Sequence, residues 1–565
     1  MISRIACLLR PLAVSAALAL TVAGLAAQPL TRMVQPSISG AYIAGQQALT
    51  ELNTAEAARY FMAAASQDWD DEVLVERAFV GYAIDGQIGR AAEVAKHLLT
   101  LDPRNGLARI VVATEAVKER RYAAAAGMLA NLGRDNFTAI TGTILRAWAL
   151  VGDGRAADAD ALLVDLGRDG LEDFLVFHRA LMAEAAGNNK SAVRLATIAY
   201  DNEPFVARLV EVYSRMLAHA DDAEGAREVI DAYTAEGLAH PLVTAVSNAL
   251  AAGQVPGLFA TNVQIGAAEM YHSIGSALAR DGSRELAIVF LRLALYLDPS
   301  ADVVSVGLGQ LFDVAGRHEA ANVIYEAVPA NSVMKPTAVV RIAQNLDQLG
   351  QREEAIRRLR NIVAVNPDDL DALAVLGDIL RYDEQYAESA DAYSRAIALT
   401  GGSRPNDWRF FYVRGIAYER DGEWDQAEPD FQRALELNPG QPQVLNYLGY
   451  SWVDMGINLD EALEMIETAV AAQPEDGYIV DSLGWAFYKL GRIEEAVEKL
   501  EYAVQLLPND PEINDHLGDA YWVAGRRLEA RFQWNIAASV DEEGRVRERV
   551  QAKLRDGLVE ASAAP

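Results

Sequence analysis

Residues 411–440 read FYVRGIAYERDGEWDQAEPDFQRALELNPG, and this stretch decides the fold. Gly415 and Ala427 are small residues, which let two antiparallel helices approach each other closely. Phe431 supplies an aromatic ring for the seam between those helices, and Pro439 ends the second of them. The stretch therefore predicts a helix-turn-helix unit. It also indicates that function should be sought on a surface of packed helices.

The unit recurs along the downstream half of the chain. With Gly415 as the marker, the corresponding positions are Gly275, Gly309, Ala343, Gly377, Gly415, Gly449, Gly484 and Gly518. The step between neighbouring markers is 34, except for 38 between Gly377 and Gly415 and 35 between Gly449 and Gly484. This period resembles that of the tetratricopeptide repeat, TPR. The longest step predicts an inserted loop at 401–405, and the step of 35 predicts one added position near Asn458, in a turn between two helices.

The upstream half keeps the same phase with weaker markers. These are Gly45, Phe79, Ala113, Ala147, Ala180 and Ser214, each followed at position +12 by an alanine: Ala57, Ala91, Ala125, Ala159, Ala192 and Ala226. The step from Ser214 to Gly275 is 61, too long for one unit and too short for two. We therefore expect an all-α, two-armed right-handed TPR superhelix, a solenoid of about 14 helix-turn-helix repeats.

The break in phase divides the chain into segments. We expect a degenerate TPR array at 28–234, an irregular junction at 235–268, where glycines and prolines cluster, and a second array at 269–540. Residues 541–565 should form a capping helix and a disordered tail. Because contacts between neighbouring repeats stabilise a solenoid, residues 269–565 should fold alone.

Residues 1–27 resemble a secretory signal peptide. Arg4 and Arg10 precede an apolar run from Leu12 to Ala23, and small residues follow. We expect export to the periplasm, as a soluble or peripherally membrane-associated protein, with signal cleavage and retention as an anchor both left open. Cys7 is the only cysteine and precedes the apolar run, so it cannot be the lipidated cysteine that follows a cleavage site.

Composition and motifs argue against several classes of function. Fifty basic and 80 acidic residues give a formal charge of −30, which disfavours nucleic acid as a partner. No P-loop, zinc-protease or serine-hydrolase motif occurs, so we expect no enzyme, no cofactor and no metal site. Gly152, Gly154 and Ala157 match a dinucleotide-binding string but follow no strand, and they predict a turn. The seven histidines are scattered singly, and we expect them on the surface or in the groove.

The first helix of each TPR unit lines the inner groove of the solenoid. Exposed aromatic rings beside carboxylates and an amide are typical of a surface that binds extended peptide or a partner protein. The predicted groove residues are Tyr412, Asn446, Tyr450, Tyr478, Asp481, Trp485, Tyr488, Asp515 and Trp522. The alternative is that some of these rings pack into the next repeat or under the C-terminal cap. Trp452, Phe487 and Tyr521 occupy the seam position and should be core.

The runs Leu445–Tyr450, Asp481–Trp485 and His516–Asp519 resemble the C-terminal repeats of exported bacterial TPR proteins, which include periplasmic adaptors of a carboxyl-terminal processing protease. The resemblance implies a non-catalytic scaffold or adaptor that binds a protein in its groove and delivers substrates to such a protease. A structural subunit of an envelope secretion or polysaccharide-export assembly is the alternative.

Overall fold

The structure is a computed structural model, which describes residues 37–132, 137–167, 171–542, 544 and 546–558. Within these residues the chain forms 30 α-helices, one short 3₁₀-helix and no strand. The predicted signal peptide and the predicted disordered tail lie outside the described residues. Of the helices described, none combines the length and the apolar character that crossing a membrane requires.

The first arm consists of six helix pairs and one unpaired helix. They are α1 Ile38–Thr50, α2 Thr54–Ala65, α3 Glu72–Asp85, α4 Ile88–Leu101, α5 Gly106–Lys118, α6 Tyr122–Met128, α7 Phe137–Gly152, α8 Ala156–Gly167, α9 Glu172–Ala185, α10 Asn189–Asn202, α11 Ala207–His219, α12 Ala223–Ala235 and the unpaired α13 Pro241–Ala251.

The second arm consists of eight helix pairs and a terminal helix. They are α14 Val263–Arg280, α15 Arg284–Leu297, α16 Asp302–Val314, α17 His318–Glu326, α18 Lys335–Gln348, α19 Arg352–Val365, α20 Leu370–Tyr382, α21 Tyr386–Thr400, α22 Trp408–Arg420, α23 Trp424–Leu437, α24 Pro442–Met455, α25 Leu459–Ala472, α26 Gly477–Lys489, α27 Ile493–Leu506, α28 Pro511–Val523, α29 Arg527–Val540 and α30 Arg547–Asp556. The 3₁₀-helix Pro405–Asp407 precedes α22.

The predicted repeat framework is confirmed. Every marker residue lies on the first helix of a pair. Most markers are small because a bulky side chain about 16 positions later, on the second helix, lies against them. A Cβ atom at Gly309 would lie 2.4 Å from the Tyr325 ring, and one at Gly518 would lie 2.4 Å from the Trp534 ring. In the weaker upstream half, the alanine 12 positions after each marker is fully or almost fully buried in the second helix.

The irregularities in the period have the predicted local origin. The insertion after Thr400 forms a loop in which Gly401 and Gly402 both adopt positive φ, ahead of the 3₁₀-helix. Asn458 is the added residue of the step of 35, and its φ of 48° turns the chain between α24 and α25. Gly154 turns the chain between α7 and α8, so the dinucleotide-like string is a helix connection.

The two arms are packed into each other. Helices α14 and α15, which open the second arm, lie against α3, α5, α7 and α9, the inner helices of the first arm. A Cβ atom at Gly266 on α14 would lie only 2.0 Å from the ring of Trp148 on α7, so only glycine allows this approach. The groove of the first arm is therefore filled by the chain's own next helix pair.

Polar contacts fix the same interface. Thr114 Oγ1 and the Tyr271 hydroxyl lie 2.5 Å apart, with both residues fully buried. Lys118 Nζ donates to the Leu297 carbonyl at 3.1 Å. The predicted irregular junction at 235–268 contains helix α13 and the start of α14, and buried apolar residues form one cluster from Ala41 to Ala396 across it. A second large cluster runs from Phe411 to Val550.

The predicted capping helix is present as α30, and it starts at Arg547 rather than at position 541. Ala552 stands one repeat period after Gly518, so α30 is the first helix of an incomplete repeat. Val550 is fully buried against the last complete repeat, and Leu554 packs there too. The terminal helix therefore covers an edge that would otherwise expose apolar side chains.

Candidate functional site

Six of the predicted groove residues are on α24 and α26, and five of them, all except Asp481, are at least partly exposed. We call them the aromatic strip: Asn446, Tyr450, Tyr478, Trp485 and Tyr488. Tyr478 is 60% exposed and the other four are partly exposed. The predicted core residues Trp452, Phe487 and Tyr521, on the opposite side of the same set of helices, are buried as expected. At these eight positions the exposed and buried sides of the helices are those that the repeat pattern predicts.

Trp485 is held by stacking on both sides. Its ring lies parallel to the Tyr488 ring, with centroids 4.8 Å apart, and parallel to the His516 ring, with centroids 4.1 Å apart. Lys489 Nζ is 5.6 Å from the same ring. A partly exposed indole with so little freedom can contact a ligand with little loss of side-chain entropy.

His516 and Asp481 form a buried ion pair beneath the stack. The Nδ1 atom of His516 lies 2.9 Å from Asp481 Oδ2, and both residues are almost fully buried. Burial alone would lower the pKa of His516, but the Asp481 carboxylate, with Glu512 and Asp515, raises it above its ordinary value. The histidine is therefore favoured in its charged form, donating to Asp481. The prediction that Asp481 is exposed for a ligand is wrong, because its carboxylate is used to hold His516.

Asp515 and Trp522 lie under the terminal helix. Asp515 is 1% exposed, and it accepts from Arg549 Nε at 2.7 Å and from Lys553 Nζ at 2.8 Å, both on α30. The Trp522 ring lies so close to Gly557 that a Cβ atom there would be 2.3 Å from it. These two residues stabilise the cap. The predicted exposure of Asp515 is wrong, because the terminal helix occupies the positions where the next repeat would stand. Trp522 remains partly exposed beside the end of this helix.

The phenols of Tyr450 and Tyr488 in the strip are neutral hydrogen-bonding groups at ordinary pH. Burial, followed by the charges of Asp519 and Asp515, raises the pKa of Tyr488 to about 12. Burial also raises the pKa of Tyr450, with Asp481 adding to the effect. The strip therefore presents aromatic area and hydroxyl groups, and the carboxylates beside it are compensated by cations.

Two polar atoms of the strip have no hydrogen-bond partner among the described residues. They are the buried Oδ1 of Asn446 and the buried Nε1 of Trp485, one acceptor and one donor. Buried polar groups are paired in most native structures, and each exception has a cost of about 1–3 kcal/mol. Sequence reasoning could not find these atoms, because their lack of a partner depends on side-chain geometry.

Tyr412 is separate from the strip. Its ring packs at 6.2 Å from the Phe431 ring and 6.0 Å from the Tyr447 ring, and it lines a different cavity near the inserted loop. Burial raises the pKa of Tyr412 to about 12.

Two histidines correct the expectation of surface or groove positions. His178 is fully buried on α9, between aromatic neighbours, and neither ring nitrogen has a hydrogen-bond partner among the described residues. His516 is 4% exposed in the ion pair described above. Across the described part of the chain, no three His, Cys, Asp or Glu residues are grouped so that they could hold a metal ion.

Comparisons with known families agree with the repeat. A tetratricopeptide repeat family matches residues 340–404, 376–442 and 412–454, and another matches 268–300. A TPR repeat family matches residues 484–525. The fold and these matches define a TPR-repeat protein, a class whose architecture is typical of non-catalytic scaffolds that bind proteins.

Curated relatives match over part of their length. TPR repeat-containing protein PA4667 of Pseudomonas aeruginosa is 28% identical over 157 residues, which is 28% of this chain and 26% of that protein. The human protein O-mannosyl-transferase TMTC1 is 27% identical over 179 residues, which is 31% of this chain and 19% of that protein. The chain therefore spans about a quarter or less of the length of these relatives.

Solved structures with the same type of fold span more of the chain at lower identity. The Cut9 and Hcn1 hetero-tetramer of APC/C is 14% identical, covering 92% of this chain and 96% of that one, with a TM-score of 0.40. Yeast Tom70 is 13% identical, covering 92% and 95%, with a TM-score of 0.34.

Proposed function

We propose that this protein is a non-catalytic adaptor of the cell envelope whose aromatic strip binds an extended segment of a partner protein. The observation that carries the proposal is the stacked Trp485, which is partly exposed yet held between Tyr488 and His516. Rigid aromatic residues surrounded by well-packed neighbours contribute most to many protein interfaces. TPR solenoids offer such surfaces on their first helices.

The chemistry of the strip favours a polypeptide segment as the ligand. Tyr450 and Tyr488 present neutral hydroxyl groups, and the nearby Asp481 is neutralised by His516. Flat apolar area with hydroxyl groups suits apolar side chains and backbone amides of an extended chain. The acidic residues are compensated within the protein, so ligand charge is a minor factor at this strip.

The proposal includes a cellular role. The signal-like residues 1–27 and the resemblance to periplasmic adaptors support export, and delivery of proteins to a carboxyl-terminal processing protease. Intact-mass analysis of the native protein tests the export: the expected mass lacks a segment ending near Ala26 or Ala27. A mass that retains Met1 rejects cleavage.

Affinity capture tests the strip. Residues 28–565 are immobilised and exposed to periplasmic extract of the source bacterium, and the captured proteins are quantified by mass spectrometry. We expect Trp485→Ala to weaken binding of the main partner by roughly 2 kcal/mol or more, as for interface hot spots. Phe532→Ala is the matched control, because this ring is 65% exposed on α29, a second helix of a pair, and should leave capture unchanged.

A core variant separates binding from folding. Phe487 lies two positions from Trp485 but is 4% exposed, so Phe487→Ala should reduce the free energy of unfolding by about 3–5 kcal/mol. Trp485→Ala should change thermal melting much less. If Trp485→Ala destroys the fold and leaves binding per folded molecule intact, the strip is structural and the proposal is wrong.

A further inference from the structure

A histidine stacks on a tryptophan in each arm. In the first arm the His97 ring lies on the Trp69 ring, with centroids 4.6 Å apart and 12° between the planes. In the second arm the His516 ring lies on the Trp485 ring, with centroids 4.1 Å apart and 16° between the planes. Because the two stacks have nearly the same geometry, the groups to which each imidazole is bonded show what is particular to the strip.

The bonding partners of the two imidazoles differ. His97 Nε2 lies 2.7 Å from the backbone carbonyl oxygen of Trp69, and a neutral imidazole can donate to that atom. His516 Nδ1 lies 2.9 Å and 3.1 Å from the two carboxylate oxygens of Asp481, which is 6% exposed. A buried carboxylate needs a cation or several hydrogen bonds to offset its lost hydration. The stack on Trp485 is therefore tied to a proton on His516, whereas His97 is bonded to an uncharged group.

The other charged groups around His516 are already paired. They are Lys489 on α26, Glu512, Asp515 and Asp519 on α28, and Arg549 and Lys553 on α30. Arg549 and Lys553 form ion pairs with the three carboxylates of α28, and Lys489 Nζ lies 3.4 Å from Asp454. Glu512 Oε1 also lies 3.8 Å from His516 Nε2. Among the described residues no other cation forms an ion pair with Asp481, so His516 is its compensating charge.

Loss of the proton from His516 changes the stack in two ways. Asp481 then has a neutral neighbour that offers at most one hydrogen bond, and an almost fully buried carboxylate without a cation is costly. Movement of either residue toward water relieves this cost and displaces the imidazole from the indole. In addition, a cationic ring attracts the face of an indole more strongly than a neutral ring does. Both effects give Trp485 more freedom at higher pH.

The imidazole titrates apart from the phenols of the strip. Burial opposes the charge of His516, but the nearby carboxylates, above all Asp481, outweigh burial and hold the pKa of His516 above the ordinary 6.5. Burial raises the pKa of Tyr488 to about 12, and it also raises the pKa of Tyr450 on α24. The phenols are therefore neutral while the imidazole loses its proton.

We propose that His516 is a positioning residue of the aromatic strip, whose proton keeps the Trp485 indole where a segment of the partner protein contacts it. The proposal rests on the proposed function of the strip and adds its regulation by pH. Binding at the strip should be strongest below the folded pKa of His516 and should weaken as the pH rises through that value. A fixed indole loses little freedom on binding, and a loosened one loses more.

Fluorine NMR of the indole tests the positioning role without a partner. Residues 28–565 are labelled with 5-fluorotryptophan, and the Trp485 signal is assigned by its absence from Trp485→Phe. We expect this signal to follow one transition between about pH 6 and about pH 10, with its midpoint above 6.5. His516→Gln should remove the transition. Asp481→Asn should move it to lower pH, because the carboxylate that raises the pKa of His516 most is gone.

Matched controls separate positioning from folding. His97→Gln removes the other stacked histidine and should leave the Trp485 transition unchanged. Circular dichroism at each pH gives the folded fraction, so that folded molecules are compared. If His516→Gln does not fold, the transition of the unmodified chain and its displacement in Asp481→Asn still decide. A Trp485 signal that stays constant over this pH range, or a transition that Asp481→Asn does not move, overturns the proposal.

A peptide without titratable groups tests the effect on binding. The probe is a rhodamine-labelled peptide GSVTVTVSG with an amidated C-terminus, and its affinity for residues 28–565 is measured by fluorescence polarisation. We expect the affinity to fall at least about threefold between about pH 6 and about pH 10, the effect of a weakened cation–π contact. In His516→Gln the affinity should be the same at both pH values, and His97→Gln should behave as the unmodified chain.

The two measurements distinguish this proposal from the function of the strip. Peptide affinity that Trp485→Ala reduces but that does not change with pH overturns the proposal and leaves the proposed function intact. Absence of peptide binding at both pH values counts against the proposed function, and the Trp485 signal then decides the role of His516. Equal pH dependence in the unmodified chain and in His516→Gln assigns the effect to another group and overturns the proposal.

Discussion

The two arms use one repeat and differ in what their inner face touches. In the first arm the groove contains α14 and α15, and the contact is so close that Gly266 lies against the Trp148 ring. In the second arm the inner face carries the partly exposed Trp485 and Tyr488. A TPR groove can therefore be part of a folding core in one half of a molecule and a candidate binding surface in the other.

The residues of the first helices explain this difference. In α5, Ile110, Val111, Val112, Ala113, Thr114, Ala116 and Val117 are all buried, so this helix is apolar on both faces. A helix that is apolar all round is buried on all sides. In α24 the inner positions instead carry Asn446 and Tyr450, which remain partly exposed.

The largest effect that tests the comparison concerns fragments of the chain. Residues 37–252 contain the first arm without α14 and α15, and we expect them to aggregate or melt without cooperativity, because the groove exposes its apolar lining. Residues 37–300 retain those two helices and should melt cooperatively. Residues 403–558, which contain the second core cluster, should also fold alone. Circular dichroism during heating and analytical ultracentrifugation measure these outcomes.

These fragments also examine the predicted junction. A fragment that starts at residue 269 lacks the first turn of α14 and exposes Tyr271 and Phe290, which are fully buried in the whole chain. We therefore expect it to be less soluble than 403–558. If residues 37–252 melt cooperatively and are as helical as residues 37–300, the first arm folds without α14 and α15 in its groove.

The sequence predicted the repeats well and the arrangement of the arms less well. Spacing located the helix pairs because Gly309 and Tyr325, for example, meet within one repeat. The contact of Thr114 with Tyr271 joins residues that are 157 positions apart. A repeat period of 34 residues predicts contacts within a repeat and between neighbouring repeats, so it does not predict this one. The apolar residues at 110–113 and 116–117 of α5 were the signal in the sequence that this helix is covered on its inner face as well. At the strip, the pattern identified the inner positions, but the pairing of Asp515 with α30 depends on an incomplete repeat that the Gly marker does not reveal.

Two buried histidines give the arms opposite responses to pH. Burial lowers the pKa of His178 to about 4, and Glu269 on α14 opposes this shift. Because the folded pKa lies below the ordinary value of 6.5, the stability of the first arm should be full above pH 6.5. It should fall by about 3 kcal/mol as the pH drops from 6.5 to 4. The urea midpoints of the unmodified chain and of His178→Leu at pH 6.5 and pH 4 measure this. The variant should not show the fall in stability between the two pH values that is due to His178.

His516 provides the comparison for the second arm. Its raised pKa contributes stability below pH 6.5, and this contribution should be lost as the pH rises through the folded pKa. His516→Gln should therefore flatten the alkaline side of the urea-midpoint profile, whereas His178→Leu flattens the acid side. If His178→Leu keeps the acid slope of the unmodified chain, then His178 is accessible to protons in solution and the first groove is more open than described.

The smallest effect concerns the hydrogen bond that joins the arms. Thr114 Oγ1 donates to the Ile110 carbonyl at 2.7 Å, so the Tyr271 hydroxyl is the donor across the interface. Tyr271→Phe removes that donor and leaves Thr114 bonded within its own helix, so the cost should be only about 1 kcal/mol. Thr114→Val and the double variant complete a double-mutant cycle in urea, and we expect a coupling of about 1 kcal/mol. A coupling near zero, with both single variants destabilised, would mean that the two hydroxyl groups do not pair and that apolar packing alone holds α14 in the first groove.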